Sequence, residues 1–211
     1  MQFIYIKITM ILYKNANKCY FKIMNIISGT ARNIELTVPA GLEVRPTSGR
    51  ARKALFDSLG SFNGVGVLDL CSGSGALALE SASRGASHAF MIELSSLHCK
   101  IIKENIAKVK KAGVNASLEV INCDILDTRR YLDAVYSCNL IFADPPYAIS
   151  SELFSSLFKK DDFLCAASGC TVIWELPDTP GTIGDFIDNP AFSDFELRKF
   201  ASTTFLKGVV K

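Results

Sequence analysis

The sequence predicts an α/β protein built on a Rossmann-like, mostly parallel and doubly wound sheet. Short apolar segments with the length of buried strands alternate with longer amphipathic segments, an order typical of parallel sheets covered by helices. A glycine-containing turn at residues 71–75 separates one such strand from the helix that follows it. Near the end the pattern changes, and residues 195–207 indicate an antiparallel closing hairpin.

Length and composition fit one domain with a small appendage. The chain has 211 residues, and its hydrophobic content of 49% is enough for a sizeable core. Seven cysteines without a C-x-x-C pair argue against a disulfide framework and fit a reducing cytosol. The two histidines lack paired ligand spacing, so we expect no metal. No stretch reaches the roughly 18 to 20 apolar residues of a membrane span. We expect a cytoplasmic protein, and we expect it to be a monomer.

Positive charge is concentrated near the N-terminus. Residues 1–60 contain nine Lys or Arg against three Asp or Glu, a net charge of +6, whereas the whole chain carries +2. This distribution suggests that the N-terminal part meets a polyanionic partner. Because Met24 opens a cleaner start, we expect residues 1–23 to be an extension without a catalytic role. Residues 24–59 are then a separate N-terminal region, and residues 60–211 form the main domain.

The sequence of residues 24–59 predicts a small β-hairpin followed by a cationic helix. Residues 25–29 and 34–38 indicate two short strands, and Thr47 or Ser48 is a suitable N-cap for the helix. A solvated helix face explains the cations there by itself. The alternative is a surface that grips phosphate groups beside the active site. These cations are Arg45, Arg50, Arg52 and Lys53.

The sequence of residues 60–211 predicts strands and helices in alternation. Five parallel strands are expected over residues 64–70, 88–92, 118–124, 139–143 and 170–175. Helices are expected over residues 76–84, 95–111, 128–136, 151–158 and 182–187. Four carboxylates lie at or just beyond the carboxyl ends of the first four strands, so these side chains should meet in one crevice. They are Asp69, Glu93, Asp124 and Asp144.

The segment Asp144-Pro145-Pro146-Tyr147 is the candidate for chemistry. Consecutive prolines have a fixed φ and no N–H, so they offer carbonyl acceptors in a rigid frame. An ionised aspartate also only accepts hydrogen bonds, and the tyrosine adds a flat face. Such a set suits a planar base that donates from an exocyclic amine. An ordinary Pro-Pro turn is the simpler explanation, and the segment alone does not decide between the two.

The turn at residues 73–78 fits two classes of cofactor. It satisfies the G-x-G-x-x-[GA] pattern of dinucleotide binding, and Glu93 follows Asp69 at a distance close to that of a ribose-binding acid. Asp69 nevertheless favours S-adenosylmethionine, because its carboxylate can meet the ammonium group of that cofactor. A pyrophosphate gains nothing from a neighbouring anion. Glu93 would then serve the ribose, and Asp124 the adenine amine.

Four segments occur in a specific order: Arg45-Pro46-Thr47, residues 69–77 (DLCSGSGAL), Ser83-Arg84-Gly85-Ala86, and Asp144-Pro145-Pro146-Tyr147. In this combination the chain resembles the bacterial 16S ribosomal RNA guanine-N2 methyltransferase family of the RsmD type, from Met24 to about Val209. The resemblance implies a class I S-adenosylmethionine-dependent methyltransferase fold. It also implies methylation of a guanine N2 amine in 16S ribosomal RNA, as naked RNA or within the small subunit or an assembly particle.

The resemblance also implies roles for individual residues. Cofactor contacts fall on Asp69, Cys71, Ser72, Gly73, Ser74, Gly75, Glu93, Leu94, Asp124 and Ile125. The flipped base is held by Asp144, Pro145, Pro146 and Tyr147, and RNA is contacted by Arg45, Thr47, Arg50, Arg52 and Lys53. The chain departs from the family after Thr47, where two acidic residues are missing, and at Cys71, Ser72 and Ala78.

For this reaction we expect Asp144 and the Pro145 carbonyl to accept the two N–H groups of the amine while Tyr147 stacks on the base. Positioning would supply most of the acceleration, since the sulfonium already activates the methyl group. Three alternatives remain open. They are an adenine-N6 methyltransferase acting on DNA or RNA, a dinucleotide-dependent oxidoreductase, and a non-catalytic RNA-binding module.

Overall fold

The computed structural model describes residues 22–39, 48–177, 184, 186–187 and 189–211. Seven strands form one sheet, and two others form a separate antiparallel hairpin near the N-terminus. The strands are β1 (Lys22–Asn25), β2 (Glu35–Val38), β3 (Gly66–Leu70), β4 (His88–Glu93), β5 (Ser117–Asn122), β6 (Leu140–Ala143), β7 (Thr171–Leu176), β8 (Phe192–Phe200) and β9 (Thr203–Val210).

Helices cover both faces of the seven-stranded sheet. They are α1 (Ser48–Ser58), α2 (Ala76–Ser83), α3 (Ser96–Lys111), α4 (Leu132–Tyr136), α5 (Tyr147–Leu157) and α6 (Asp161–Ala167), with a 3-10 turn at Thr128–Arg130. In the described part of the chain, no helix combines the length and apolar character needed to cross a membrane. The predicted fold class, a doubly wound sheet with an N-terminal hairpin and a C-terminal antiparallel hairpin, is confirmed.

The strand order of the large sheet is β5-β4-β3-β6-β7-β9-β8. The first five of these strands are parallel, whereas β9 runs antiparallel to β7 and β8. From β3 the chain adds β4 and then β5 on one side. It then crosses back and adds β6 on the other side of β3. In open parallel sheets a ligand crevice forms at such a reversal, beyond the carboxyl ends of the strands. The site is therefore expected above β3 and β6.

The core has one layer on each face of the sheet, because parallel strands covered by helices bury both sets of alternating side chains. On one face, Trp174 packs edge-on against Phe154 of α5, with ring centroids 5.1 Å apart. On the other, Phe142 packs against Phe56 of α1 at 5.5 Å. All residues of β3 and β6 are buried. The two strands that flank the crevice therefore form a rigid base for it.

The N-terminal hairpin differs in detail from the prediction. A strand was expected over residues 25–29, but β1 ends at Asn25. The backbone N–H groups of Ile27 and Ser28 instead donate to the Glu80 carboxylate, at 2.7 and 3.1 Å. Gly29 follows in the left-handed region, at φ +80°, where an added Cβ would lie 1.8 Å from the Ser83 carbonyl oxygen. These residues therefore form a turn that docks on α2 rather than a strand.

Three helices also differ from the prediction. Helix α5 begins at Tyr147, not at residue 151, because the Pro146 carbonyl already accepts the Ile149 N–H at 3.1 Å. The helix expected over residues 128–136 is interrupted at Tyr131, whose φ of −143° is not helical. Helix α6 was not predicted. Half of the residues of the short helix expected at 182–187 lie outside the described residues.

Candidate active site

The four strand-end carboxylates lie together beyond the carboxyl ends of the parallel strands, where the topology predicts a ligand crevice. Leu70 of β3 lies beside Ala143 of β6 in the parallel register, so Asp69 and Asp144 lie at the same end of adjacent strands. Burial raises the pKa of the Cys71 thiol, and negative charges around it raise that pKa further. The charges belong to Glu93, Asp69, Asp144 and Asp124. The charges of all four carboxylates thus act on Cys71, so the four lie near one another.

Asp69 is the most deeply buried of the four, with 1% of its surface exposed. Burial raises its pKa to about 8, the charges of Asp144 and Glu93 add to the rise, and the Ala78 N–H, 3.2 Å from Oδ2, opposes it. A buried carboxylate keeps its proton unless a cation compensates its charge. This position is therefore suited to an ammonium group.

The turn after β3 forms a narrow backbone cradle. Cys71, Gly73 and Gly75 all have positive φ, at 59°, 56° and 77°. A Cβ added at Gly75 would lie 3.2 Å from side-chain atoms of Ile102 and Met91, so a larger residue is strained there. The Ser72 hydroxyl holds the turn by donating to the Asp69 carbonyl at 2.6 Å. Because Gly73 and Gly75 have no side chains, a ligand can approach the backbone at these two positions.

Glu93 links β4 to this turn. Its Oε2 accepts the Gly73 N–H and its Oε1 accepts the Ser95 N–H, both at 2.8 Å. His98 Nδ1 lies 3.4 Å from Oε1. Because each carboxylate oxygen can accept more than one hydrogen bond, Glu93 can still receive a ribose hydroxyl. Its fixed orientation suits that role.

The outer side of the crevice is formed by residues that follow β4 and β5. The Leu94 side chain is 58% exposed and offers an apolar surface for a ring. Asp124 is also exposed, and its Oδ1 accepts the Leu126 N–H at 2.8 Å. The Ile125 side chain lies in the core instead, at 5% exposure, so only its backbone can reach a ligand. The place predicted to hold the adenine thus has two exposed side chains, the apolar Leu94 and the acidic Asp124.

The Asp-Pro-Pro-Tyr segment lies directly beyond β6. Asp144 is exposed, Pro145 is buried and Pro146 is exposed. Because the Pro146 carbonyl is used by the first turn of α5, the Pro145 carbonyl is the better candidate to accept a base amine. The Tyr147 hydroxyl donates to Oε1 of Glu175 at 3.2 Å. Sequence reasoning missed Glu175, although a charged residue inside the apolar strand at residues 171–176 was a usable signal.

Of the predicted RNA contacts, Arg50 and Lys53 lie exposed on α1. Lys53 pairs with Asp57 one turn further along this helix. Arg52 faces the interior with 8% exposure, and its Nη2 donates to the Asn25 carbonyl at 2.6 Å. Its guanidinium thus anchors the hairpin, and Arg52 does not share the exposed surface of Arg50 and Lys53. Arg45 and Thr47 lie outside the described residues.

The Ser83-Arg84 pair, part of the family resemblance, has a structural role here. The Ser83 hydroxyl donates to the Ser28 carbonyl at 2.6 Å and accepts the Ala31 N–H at 2.9 Å. The Arg84 guanidinium contacts Glu80 at 2.8 Å and Asp57 of α1 at 3.0 Å. This pair fixes the hairpin and α1 to the end of α2.

Known proteins are similar to this chain in sequence. Residues 24–176 match the family described as Conserved hypothetical protein 95. A Bacillus subtilis protein named "Putative rRNA methyltransferase YlbH" is 29% identical over 172 residues, which are 76% of this chain and 89% of that protein. The Escherichia coli protein named Ribosomal RNA small subunit methyltransferase D is 32% identical over 125 residues, 59% of this chain and 60% of that protein.

Solved structures resemble the whole fold. A hypothetical protein of Thermus thermophilus is 26% identical with a TM-score of 0.61, covering 89% of this chain and 99% of its own. An RNA methyltransferase of Salinibacter ruber, solved with S-adenosyl-L-homocysteine, is 16% identical with a TM-score of 0.54. The match covers 78% of this chain and 93% of the Salinibacter ruber chain. The second likeness concerns the fold alone. Since residues 24–176 make up most of the chain, this protein belongs to the conserved hypothetical protein 95 family, the RsmD-type family that its motifs resemble.

Proposed function

We propose that this protein transfers a methyl group from S-adenosylmethionine to the exocyclic N2 amine of a guanine in 16S ribosomal RNA. The observation that carries the proposal is the adjacency of β3 and β6, which brings the Asp69 carboxylate and the Asp-Pro-Pro-Tyr segment to one crevice. The names of the Bacillus subtilis and Escherichia coli relatives support ribosomal RNA as the substrate class. The choice of guanine N2 rests on the motif resemblance.

The residues of the crevice fit S-adenosylmethionine part by part. The buried Asp69 carboxylate requires a cation, which the ammonium group of the methionine part provides. The narrow turn at Gly73 and Gly75 lets a ligand approach the backbone. Glu93 would accept the ribose hydroxyls, and Leu94 with Asp124 would hold the adenine. The sulfonium of the bound cofactor supplies a methyl group that is already activated.

The acceptor side must orient a poor nucleophile. The lone pair of a guanine N2 amine is delocalised into the ring, so it attacks only when its N–H groups are held and its lone pair is aimed at the methyl carbon. Asp144 and the Pro145 carbonyl would accept the two N–H groups, and Tyr147 would stack on the base. The N2 nitrogen forms its bond to carbon as the carbon–sulfur bond breaks, and one amine proton leaves through Asp144 to water.

A base in folded RNA must first be unstacked, which costs a few kcal/mol. Contacts to the phosphate backbone can offset this cost. We propose that Arg50 and Lys53 of α1 make such contacts, with Arg45 and Thr47 in the segment before it. The position of α1 supports this, because its Phe56 packs on Phe142, two residues before Asp144. Arg52 is not included, since it is buried.

The Asp144→Ala variant tests the chemical part of the proposal. Loss of an oriented acceptor should lower methyl transfer by about 100-fold or more, by analogy with the removal of a preorganised hydrogen-bond partner. Binding of S-adenosylhomocysteine, measured by calorimetry, should change less than about threefold, since Asp144 faces the acceptor. Asp133→Ala, at an exposed position on α4, is the matched control. Full activity in Asp144→Ala would contradict the assigned role.

A further inference from the structure

Glu175 is a buried carboxylate in a strand that is otherwise apolar from its second residue onward. It is 8% exposed, and the other residues of β7 from Val172 to Leu176 are buried hydrophobic side chains. Burying an ionisable group in a sheet core lowers stability unless the group is hydrogen-bonded. A carboxylate at this position therefore calls for a function that an apolar side chain could not perform.

The position of Glu175 relates it to the acceptor side of the crevice. Ala143 of β6 lies beside Trp174 of β7 in the parallel register. The next residue on each strand is a carboxylate, Asp144 on one and Glu175 on the other. Neighbouring strands lie about 4.8 Å apart, so the two backbones are adjacent at the site. Glu175 is thus placed beside the Asp-Pro-Pro-Tyr segment by the sheet itself.

One hydrogen bond connects Glu175 to this segment. The Tyr147 hydroxyl donates to Glu175 Oε1 at 3.2 Å. A second bond links the same strand to the same helix turn, because Trp174 Nε1 donates to Ser150 Oγ at 2.9 Å. Ser150 lies three residues after Tyr147, on the same side of the first turn of α5. The start of this helix is therefore attached to β7 at two successive strand positions.

We propose that Glu175 is a positioning residue that fixes the ring of Tyr147 for stacking on the acceptor base. The inference rests on the proposed function, in which Tyr147 provides the stacking face. A tyrosine in the first turn of a helix can rotate about two side-chain bonds, and each rotation moves the face that receives the base. The hydroxyl oxygen lies on the Cβ–Cγ axis, so its hydrogen bond to a carboxylate held in a strand fixes the rotation about Cα–Cβ and thereby the place of the ring. Small displacements of an oriented reactant slow transfer strongly.

A double-mutant cycle tests this link. Single-turnover methyl transfer is compared in the wild type, Glu175→Leu, Tyr147→Phe and the double variant. We expect each single variant to lose about tenfold or more in rate, and the double variant to lose no more than either one. Glu175→Gln, whose amide oxygen can still accept the tyrosine hydroxyl, should retain most of the rate. Affinity for S-adenosylhomocysteine should stay within about threefold throughout.

Two results in the cycle would overturn the inference. One is additive losses, which would mean that Glu175 acts without the Tyr147 hydroxyl. The other is Glu175→Gln being as slow as Glu175→Leu, which would mean that the hydrogen bond is not what matters. Glu152→Gln, an exposed position on the same helix, is the matched control, and thermal unfolding of each variant checks folding.

A measurement without catalysis separates this inference from the proposed function. In protein labelled with ¹³C at the tyrosine ring, the Tyr147 signal is identified by its loss in Tyr147→Phe. It should shift or broaden in Glu175→Leu and recover in Glu175→Gln. An unchanged signal in Glu175→Leu would contradict the inference even if RNA is methylated. If the wild type methylates no RNA, the proposed function fails, and the NMR result still decides whether Glu175 orients Tyr147.

Discussion

At the scale of single residues, Asp69 has the ionisation that depends most clearly on the fold. Burial is the main reason that its pKa rises to about 8, and the negative charges of Asp144 and Glu93 act in the same direction. Without a cation beside it, the carboxylate keeps its proton in the folded protein near neutral pH. The ammonium group of the proposed cofactor would supply a positive charge beside the carboxylate. The ionised form of Asp69 would then be stable in the folded protein.

This raised pKa predicts a pH-dependent stability. An unfolded aspartate loses its proton near pH 4, whereas folded Asp69 holds it until about pH 8. Between these values the unfolded state binds fewer protons, so the free energy of unfolding should fall as pH rises. Asp69→Asn should remove this part of the decline and be relatively more stable near pH 8. The test is urea unfolding of both proteins without ligand from pH 5 to pH 8.

The control for that experiment is Asp133→Asn, which changes an exposed aspartate on α4. It should keep the pH dependence of the wild type. Parallel stability curves for the wild type and Asp69→Asn over this range would show that Asp69 ionises normally. The assignment of this site to a cationic group would then lose its main electrostatic support.

At the scale of secondary-structure elements, a polar network around a buried carboxylate joins the N-terminal hairpin to α2. Glu80 of α2 is 0% exposed and accepts hydrogen bonds from the backbone of Ile27 and Ser28 and from Arg84. Arg84 extends the network to Asp57 of α1. Because α1 also carries the exposed cations, this network places the proposed RNA-contact surface relative to the crevice.

Removal of the central carboxylate should release the hairpin. Glu80→Ala leaves two backbone N–H groups and the Nε–H of Arg84 without their acceptor, and breaking a buried ion pair from one side typically costs about 3–5 kcal/mol. Chemical unfolding should show a loss of this size. Glu35→Ala, at an exposed residue of β2, should change the free energy of unfolding by less than about 0.5 kcal/mol. Equal effects of the two substitutions would contradict the role of Glu80.

Sequence reasoning succeeded for features set by local patterns and failed for features set by distant contacts. The carboxylates at positions 69, 93, 124 and 144 could be placed because apolar runs mark strands and parallel strands share an edge. The burial of Arg52 could not be predicted, because it depends on the Asn25 carbonyl of a separate hairpin. The bond between Tyr147 and Glu175 likewise requires knowing that β7 pairs with β6.

At the scale of the whole molecule, the two predicted binding surfaces carry opposite charges. The crevice collects four carboxylates, whereas α1 carries the exposed cations Arg50 and Lys53. An acidic pocket suits a cationic cofactor, and a cationic neighbouring surface suits the phosphates of RNA. This distribution of charge agrees with the proposed binding of a cationic cofactor and of RNA.

The cationic surface can be tested by salt dependence. Replacing Arg50 and Lys53 by alanine should weaken RNA binding similarly for different sequences, because phosphate contacts carry no sequence information. The slope of log K against log salt should become shallower by about 0.7 for each lost contact to single-stranded RNA. Filter binding at several salt concentrations measures both effects.

The matched control is the pair Lys100→Ala and Lys103→Ala, which removes the same charge from exposed positions on α3. This pair should leave the slope close to that of the wild type. If both double variants lose the same affinity, general charge rather than the surface of α1 attracts the RNA.

The most direct test of the central claim is the identity of the methylated nucleoside. Small ribosomal subunits or 16S RNA from cells that lack the activity are incubated with the protein and S-adenosylmethionine carrying a labelled methyl group, and the RNA is digested to nucleosides. We predict label in N2-methylguanosine, and its near absence with Asp144→Ala. Label in N6-methyladenosine, or RNA without label, would contradict the proposed reaction.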